Sequence, residues 1–172
     1  AYLRSGAFIG FLEAKTIFRG EQMRVLLTGG AGYIGSHIGM TLLSEGYQIV
    51  TVDDLSKGHR QAVPGESFYQ TSLADRNGLA AVFAAERVDA VIHLAASSLV
   101  GESMAKPETY FRNNLTNGLN LLEVMLEANV KTLVFSSSAA VYGEPEVYPI
   151  AETQAALPGG PYGLSKLYFE GI

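Results

Sequence analysis

Short apolar runs alternate with longer segments of helical periodicity from residue 24 to the end of the chain. The runs are rich in Val, Ile and Leu and have the length of buried strands. They predict strands at 24–28, 48–52, 67–70, 89–94 and 132–136. Helices are predicted at 33–45, 75–86, 107–128 and from Pro161 onward. Strands that alternate with helices pair in parallel, so the pattern predicts an α/β fold with a Rossmann-like, doubly wound parallel sheet.

The predicted helix 107–128 has an unusually wide apolar side. Its apolar residues are Leu115, Leu119, Leu122 and Leu126 on one face, widened by Leu121, Val124 and Met125. An amphipathic helix that packs on a sheet needs only a narrower apolar stripe. The apolar surface of this helix is therefore wide enough to contact more than the sheet.

Composition and charge argue against several classes of function. The 172 residues are 48% hydrophobic, which suits the packed core of one domain. The net charge is −5 and the basic residues are scattered, so no face for nucleic acid is predicted. No apolar run approaches the ~20 residues that span a bilayer, and the chain has no cysteine. We therefore predict a cytoplasmic protein without a nucleic-acid or membrane partner.

The three histidines do not predict a metal site. His93 lies inside an apolar strand and is interpreted as a core histidine. His37 and His59 have no cysteine or carboxylate partners at the spacing that metal ligands need. No metal is expected.

A glycine-rich turn separates the first strand from the first helix. Gly29, Gly32 and Gly35 are spaced G-x-x-G-x-x-G, which lets the backbone approach a pyrophosphate at the helix N-terminus. Asp53 ends the second strand about 20 residues later, where a carboxylate accepts hydrogen bonds from the adenosine ribose and repels a 2′-phosphate. The arrangement predicts a dinucleotide site that prefers NAD, although Arg60 is near enough in sequence to leave NADP open.

A proton-transfer pair is predicted in the last helix. Tyr162 and Lys166 are four residues apart and share a helix face. A free tyrosine titrates near pH 10, and a unit charge ~4 Å away at an effective dielectric of ~20 supplies the roughly 4 kcal/mol that lowers its pKa by ~3 units. Ser138, after the fifth strand, lies where ligands of parallel sheets bind and is predicted to bind a reacting oxygen. Taken alone, Tyr162 and Lys166 are also typical of a solvated helix face, and Ser138 of an ordinary strand end.

Taken in order, these segments resemble the extended short-chain dehydrogenase/reductase family, and within it the branch that inverts C4 of nucleotide-linked hexoses. The resemblance covers 23–172. It is carried by the segments 23–37, 52–56, 93–96, Val100-Gly-Glu-Ser103 with Lys106-Pro107 and Tyr110, Asn113-Asn114, 135–143 and 161–166. The V-G-E-S…K-P…Y segment is what favours the C4-inverting branch.

The resemblance implies a tightly bound NAD. The residues implied to line it are Gly29, Gly32, Tyr33, Ile34, Gly35, Asp53, Asp54, Leu55, Ser56, Lys57, Gly58, Ser72, Leu73, Leu94, Ala95, Ala96, Ser97, Ser98, Asn114, Ser138, Tyr162 and Lys166. Ser72 stands where the family commonly has an acidic residue near the adenine, so that one contact differs from the family pattern.

The resemblance also implies an activity, the interconversion of UDP-glucose and UDP-galactose by NAD-mediated oxidation and re-reduction at C4. Tyr162 is implied to exchange the proton of the sugar 4-hydroxyl, Ser138 to hold the same sugar oxygen, and Lys166 to bind the nicotinamide ribose and lower the tyrosine pKa. Ser138 and Tyr162 are thus the expected substrate contacts. The family pairs as homodimers through its long helices, which here are 107–128 and the helix from Pro161.

We interpret 23–172 as an NAD-binding domain that stops before the substrate-binding part, and 1–22 as a leader of uncertain status. The isolated chain is expected to be inactive and poorly folded, because its last helix and sheet edge lack cover. Two alternatives remain: a sugar-nucleotide dehydratase or decarboxylase, and a non-catalytic NAD-binding fragment. The first needs an acid/base directly after Ser138, where the chain has Ala139-Ala140-Val141.

Overall fold

A computed structural model of the chain describes residues 23–145 and 147–172, so the predicted leader lies outside the described residues. Five parallel strands form one sheet in the order β3-β2-β1-β4-β5. Their bounds are β1 Arg24–Thr28, β2 Gln48–Asp53, β3 Ser67–Gln70, β4 Ala90–His93 and β5 Leu133–Phe135. Each predicted strand is present, and the predicted α/β fold class is confirmed.

Within the described part of the chain, six α-helices connect and cover the strands. They are α1 Tyr33–Ser44, α2 Arg76–Ala85, α3 Val100–Ala105, α4 Pro107–Phe111, α5 Asn117–Glu127 and α6 Pro161–Glu170. Short 3₁₀ turns occupy Arg60–Ala62 and Ala139–Tyr142. The pattern did not predict α3, because six residues are too few to establish a helical period. None of the described helices is both long and apolar enough to cross a membrane.

The core has two layers because successive strand residues point to opposite faces of the sheet. On one face Leu26, Val50 and Val91 pack against residues of α2 and α5. On the other face Val25 and Leu27 pack against the apolar residues of α1. Helices on both faces are the doubly wound arrangement that the alternation of elements predicted.

The predicted helix 107–128 is not one regular helix. A wider π-helical turn at Arg112–Thr116 joins α4 to α5, and the last helical residue is Glu127. Within α5 the buried side is formed by Leu121, Val124 and Met125, whereas Leu126, predicted at the centre of the apolar face, is 75% exposed. Average periodicity cannot reveal a single wide turn, so the sequence alone could not indicate it.

Candidate functional site

The turn between β1 and α1 is built for close backbone approach. Gly29 has φ +74°, and a Cβ on it would lie 2.7 Å from the backbone nitrogen of Ala95. A Cβ on Gly35 would clash with the Gly29 carbonyl and lie 2.7 Å from the Cα of Gly30. Helix α1 starts after Gly32 without a side-chain cap, so its first N–H groups face the cleft unpaired by side chains. Such a terminus binds anions, and phosphate in particular.

Asp53 holds this turn in place. Its carboxylate accepts hydrogen bonds from the backbone N–H of Ala31 at 3.0 Å and of Leu55 at 2.8 Å. Asp53 is 9% exposed and lies at the carboxyl end of β2. The carboxylate predicted to meet a ribose thus also ties the glycine turn to the next loop.

A cavity of about 670 Å³ opens over the carboxyl ends of the strands, a size typical of ligand sites. The predicted cofactor residues that line it are Gly29, Gly32, Tyr33, Ile34, Gly35, Asp53, Asp54, Ser56, Lys57, Gly58, Ser72, Leu73, Leu94, Ala95, Ala96, Ser97 and Ser98. Tyr33 is 82% and Ile34 58% exposed at its wall, although both are apolar. A glycine-floored cleft with an uncapped helix end, a carboxylate and exposed apolar side chains fits a dinucleotide.

Five of the predicted residues lie outside this lining: Leu55, Asn114, Ser138, Tyr162 and Lys166. Asn114 is 3% exposed, and its amide is used by the protein itself. The amide oxygen accepts from the Ser97 N–H at 2.8 Å, and the amide nitrogen donates to the Ser97 carbonyl and to the Ser165 hydroxyl, both at 3.0 Å. Asn114 therefore joins the 94–98 loop to α6 rather than facing the cleft.

Several residues that line the cleft were not predicted. They are Val52, Thr71, Leu99, Glu102, Thr109, Arg112, Asn113, Asn117 and Ser136. Val52, Glu102, Asn113 and Ser136 belong to segments that carried the family resemblance, so a signal for those four was present. No local pattern marks the remaining five, which the packing of the elements brings to the cleft.

Lys166 is held beneath the cleft at the end of β5. It is 4% exposed, donates to the Ser136 carbonyl at 2.8 Å, and lies 4.7 Å from the centre of the Phe135 ring. Burial lowers the pKa of Lys166 from its usual 10.5 to about 8. Ser136 lines the cleft, so the ammonium is one backbone carbonyl away from it. The cation remains mostly protonated at neutral pH.

Ser138 and Tyr162 lie on either side of the loop that returns to α6. Ser138 caps the 3₁₀ turn, and its oxygen accepts from the Ala140 N–H at 3.2 Å. This bond leaves the hydroxyl proton free to be donated. Tyr162 lies in the first turn of α6, and its half-buried ring meets the ring of Tyr110 edge-on, with 6.4 Å between centres.

His93 is a core residue, as the sequence predicted. It is 1% exposed, shares a 2.7 Å hydrogen bond with the Thr28 hydroxyl, and packs between the rings of Phe135 and Phe169. Burial, and then the nearby charge of Lys166, lower the pKa of His93 to about 3. The imidazole is therefore neutral in the folded protein.

The chain matches the model of a known protein family, and it is also similar to individual proteins. Residues 25–172 match the NAD dependent epimerase/dehydratase family. The UDP-glucose 4-epimerase of Streptococcus mutans is 54% identical over 153 residues, which cover 87% of this chain and 46% of that protein.

Two solved structures have the same fold. The UDP-glucose 4-epimerase of Brucella ovis in complex with NAD is 41% identical with a TM-score of 0.84, over 87% of this chain and 46% of that one. The enzyme of Bifidobacterium longum in complex with NAD+ and UDP is 41% identical with a TM-score of 0.83, over 87% of this chain and 48% of that one. The chain thus spans about half the length of the proteins it matches.

Proposed function

Because the chain belongs to the NAD dependent epimerase/dehydratase family, we propose that residues 23–172 are the NAD-binding domain of a 4-epimerase that interconverts UDP-glucose and UDP-galactose. The observation that carries the proposal is the conjunction of a dinucleotide cleft with a buried Lys166 at its floor. Sugar recognition is assigned to the part of the whole protein that this chain does not cover, since its relatives are about twice as long.

The proposed cofactor contacts follow from the local chemistry of the cleft. The unpaired N–H groups after Gly32 are placed to bind the diphosphate, and Asp53 to accept from the adenosine ribose. NAD, when bound, supplies the two-electron oxidant for the sugar C4. The proposed lining is the set of predicted residues that border the cleft, whereas Asn114 is assigned to holding the 94–98 loop.

Two observations favour NAD over NADP. The Asp53 carboxylate would repel a 2′-phosphate. The guanidinium of Arg60, the cation that left the choice open, lies 4.5 Å above the ring of Phe68 and is not among the residues that line the cleft. Arg60 is therefore not placed in the cleft to neutralise a 2′-phosphate.

The proposed proton chemistry uses three side chains. Tyr162 takes the proton from the sugar 4-hydroxyl and later returns it. Lys166, four residues later on the same helix, supplies the positive charge that favours the ionised phenol. Ser138, whose proton is free, donates to the same sugar oxygen. These are the roles of a general base, its activator and an electrophilic hydrogen-bond donor.

The alternative dehydratase or decarboxylase chemistry lacks its residues. An additional acid/base would be needed just after Ser138, but Ala139–Tyr142 form a 3₁₀ turn whose first three side chains cannot transfer a proton. Simple oxidation and return at C4 needs no such group. The 4-epimerase is therefore the function the site supports best.

A homodimer is proposed for the whole protein. Its interface is formed by the segment from α4 to α5 and by α6. Apolar side chains on these helices support it, with Leu119 37%, Leu126 75% and Tyr168 51% exposed. Exposed apolar surface of this kind marks contact sites in soluble proteins.

The decisive experiment is Tyr162→Phe in the full-length protein. It removes one oxygen and leaves the ring packing intact. We expect conversion of UDP-galactose to UDP-glucose to fall by about 10²- to 10⁴-fold, the usual contribution of a positioned acid/base, with NAD content unchanged. Undiminished turnover would remove Tyr162 as the base, and absence of turnover in the parent protein would reject the proposed activity.

A further inference from the structure

The V-G-E-S…K-P…Y segment is left without a role by the proposed chemistry. In the structure its first four residues open α3, Pro107 opens α4, and Tyr110 follows one turn later. Two members of the segment meet: the phenol oxygen of Tyr110 lies 3.0 Å from a carboxylate oxygen of Glu102. The segment therefore forms one unit in space.

The hydroxyl of Tyr110 is held by two acceptors, the Glu102 carboxylate and the Leu99 carbonyl. Tyr110 is fully buried, and its hydroxyl lies 2.7 Å from the Leu99 carbonyl. A phenol has one proton, which these two oxygens share. Burial, and then the hydrogen bond and charge of Glu102, raise the pKa of Tyr110, so the group stays neutral. A buried phenol with both acceptors fixed has little freedom to move.

The other side of the Tyr110 ring faces Tyr162. The two rings are perpendicular within 7° of the ideal, at an interplanar angle of 83°, and edge-to-face contact at about this distance is favourable between aromatic rings. Tyr110 is the aromatic partner that the described residues offer Tyr162. None of the described residues forms a hydrogen bond with the Tyr162 phenol.

The backbone and the side chain of Tyr162 are held differently. Pro161 begins α6, and the Tyr162 carbonyl accepts a hydrogen bond from the Ser165 hydroxyl at 2.7 Å, so the backbone is fixed. The phenol has no such bond among the described residues. The direction of the ring is therefore held by the side chains it contacts, Tyr110 among them.

We propose that Tyr110, anchored by Glu102 and the Leu99 carbonyl, is a positioning residue that holds the ring of Tyr162 in place for proton transfer. The V-G-E-S…K-P…Y segment then links a carboxylate that lines the cleft to the side chain that carries the proton. The kinetic consequence rests on the proposed function, whereas the contact itself does not.

The kinetic test compares variants of the full-length protein. Tyr110→Leu removes the supporting ring, and we expect kcat to fall by about tenfold to 100-fold, the scale of a displacement of about 1 Å in an active site. The KM for UDP-galactose and the NAD content should stay within about twofold of the parent.

Two further variants make the test specific. Tyr110→Phe keeps the ring and loses the anchor, so a smaller loss, about threefold to tenfold, is expected. Phe83→Leu removes a buried ring of α2 from the core cluster that contains Leu26, Val50 and Val91. It should lower stability while leaving kcat in place. Equal effects of Phe83→Leu and Tyr110→Leu on kcat would overturn the proposal.

A second measurement does not depend on turnover. In protein labelled with fluorotyrosine, the ¹⁹F signal of Tyr162 is identified by its loss in Tyr162→Phe. We expect the signal to shift in Tyr110→Leu, less in Tyr110→Phe, and not in Phe83→Leu. A Tyr162 signal unmoved in both Tyr110 variants rejects the proposal, and Tyr110→Phe alone decides it should Tyr110→Leu not fold. If the parent protein had no epimerase activity but the Tyr110 variants still shifted the Tyr162 signal, the proposed function would be rejected and the positioning role of Tyr110 would stand.

Discussion

The two ends of the candidate site are built in different ways. The glycine end consists of β1, the turn 29–32, α1 and β2, and the lysine end of β5, residues 136–142 and α6. Strand β1 lies in the middle of the sheet, and Val25 through Thr28 are fully buried. Among the described residues, strand β5 pairs with β4 alone, and its Val134 is 44% exposed.

The two ends are held in place by different combinations of contacts. At the glycine end, backbone packs on backbone between central strands, and there is no room for a Cβ. At the lysine end, backbone also packs on backbone, since a Cβ on Gly163 of α6 would clash with the Ala140 carbonyl. Buried side-chain hydrogen bonds add to this contact, from Lys166 to the Ser136 carbonyl and from Asn114 to the Ser165 hydroxyl. The glycine end therefore depends on close packing and on the Asp53 carboxylate, whereas the lysine end depends in addition on a buried cation and a buried amide, which are costly to bury.

Adding one methyl group at the glycine end should give the largest effect. Gly35→Ala places a Cβ against the Gly29 carbonyl, and overpacking against backbone costs about 3 kcal/mol of unfolding free energy. NAD binding should weaken with it, measured by urea unfolding and by calorimetric titration. The control is Gly101→Ala in α3, where a Cβ meets nothing within 4 Å. If both substitutions had the same effect, tight packing would not distinguish the glycine end.

Acid should lower the stability of the folded protein through His93, which lies in β4 between the two ends. Folding lowers the pKa of His93 from 6.5 to about 3, so between these values the unfolded chain binds a proton that the folded chain excludes. Stability therefore falls as pH falls from 6.5, by about 2 kcal/mol at pH 5.

Substitution of His93 isolates this term. His93→Gln can still bond to the Thr28 hydroxyl, and it should remove that part of the slope in urea unfolding between pH 7 and 5. The exposed His59 provides a control in His59→Gln, which should keep the parent slope. An unchanged slope in His93→Gln would mean that acid acts elsewhere.

Removing the buried cation should stabilise the lysine end by the smallest amount. Folding lowers the pKa of Lys166 from 10.5 to about 8 by desolvation, so parent stability rises between pH 8 and 10.5, where the unfolded chain still holds the proton. Lys166→Met removes a desolvation cost of about 3 kcal/mol and a charged hydrogen bond worth about 2 kcal/mol. It should therefore gain about 1 kcal/mol at pH 7, and less at pH 9, while abolishing the proposed turnover. The exposed Lys131 serves as control in Lys131→Met. A loss of stability in Lys166→Met would show that its bond to Ser136 outweighs desolvation.

The sequence predicted the glycine end better than the lysine end. The spacing of Gly29, Gly32 and Gly35 and the position of Asp53 are local features, and the residues around them line the cleft. At the lysine end, the pattern placed Tyr162 and Lys166 on one helix face but could not indicate that Lys166 points to the Ser136 carbonyl. That direction depends on how α6 packs against the end of β5.

Asn114 shows where inference from the sequence reached its limit. Its position suggested contact with a cofactor, yet its amide is bonded to Ser97 and Ser165, which are 17 residues before and 51 residues after it in the chain. The π turn that directs it inward interrupts a helix whose average period looks regular. Partners so distant in sequence are brought together only by the packing of three elements.

The sequence by itself determined which segments become strands and helices, that a glycine turn and a carboxylate lie where parallel strands end, and that a tyrosine and a lysine share one face of the last helix. Those features depend on the period of apolar residues and on local backbone geometry. Only the tertiary structure decided the strand order, the π turn, the partners of Asn114 and Lys166, and the contact of Tyr110 with Tyr162. Each of these joins residues far apart in the chain, and their relative placement follows from the packing of whole elements.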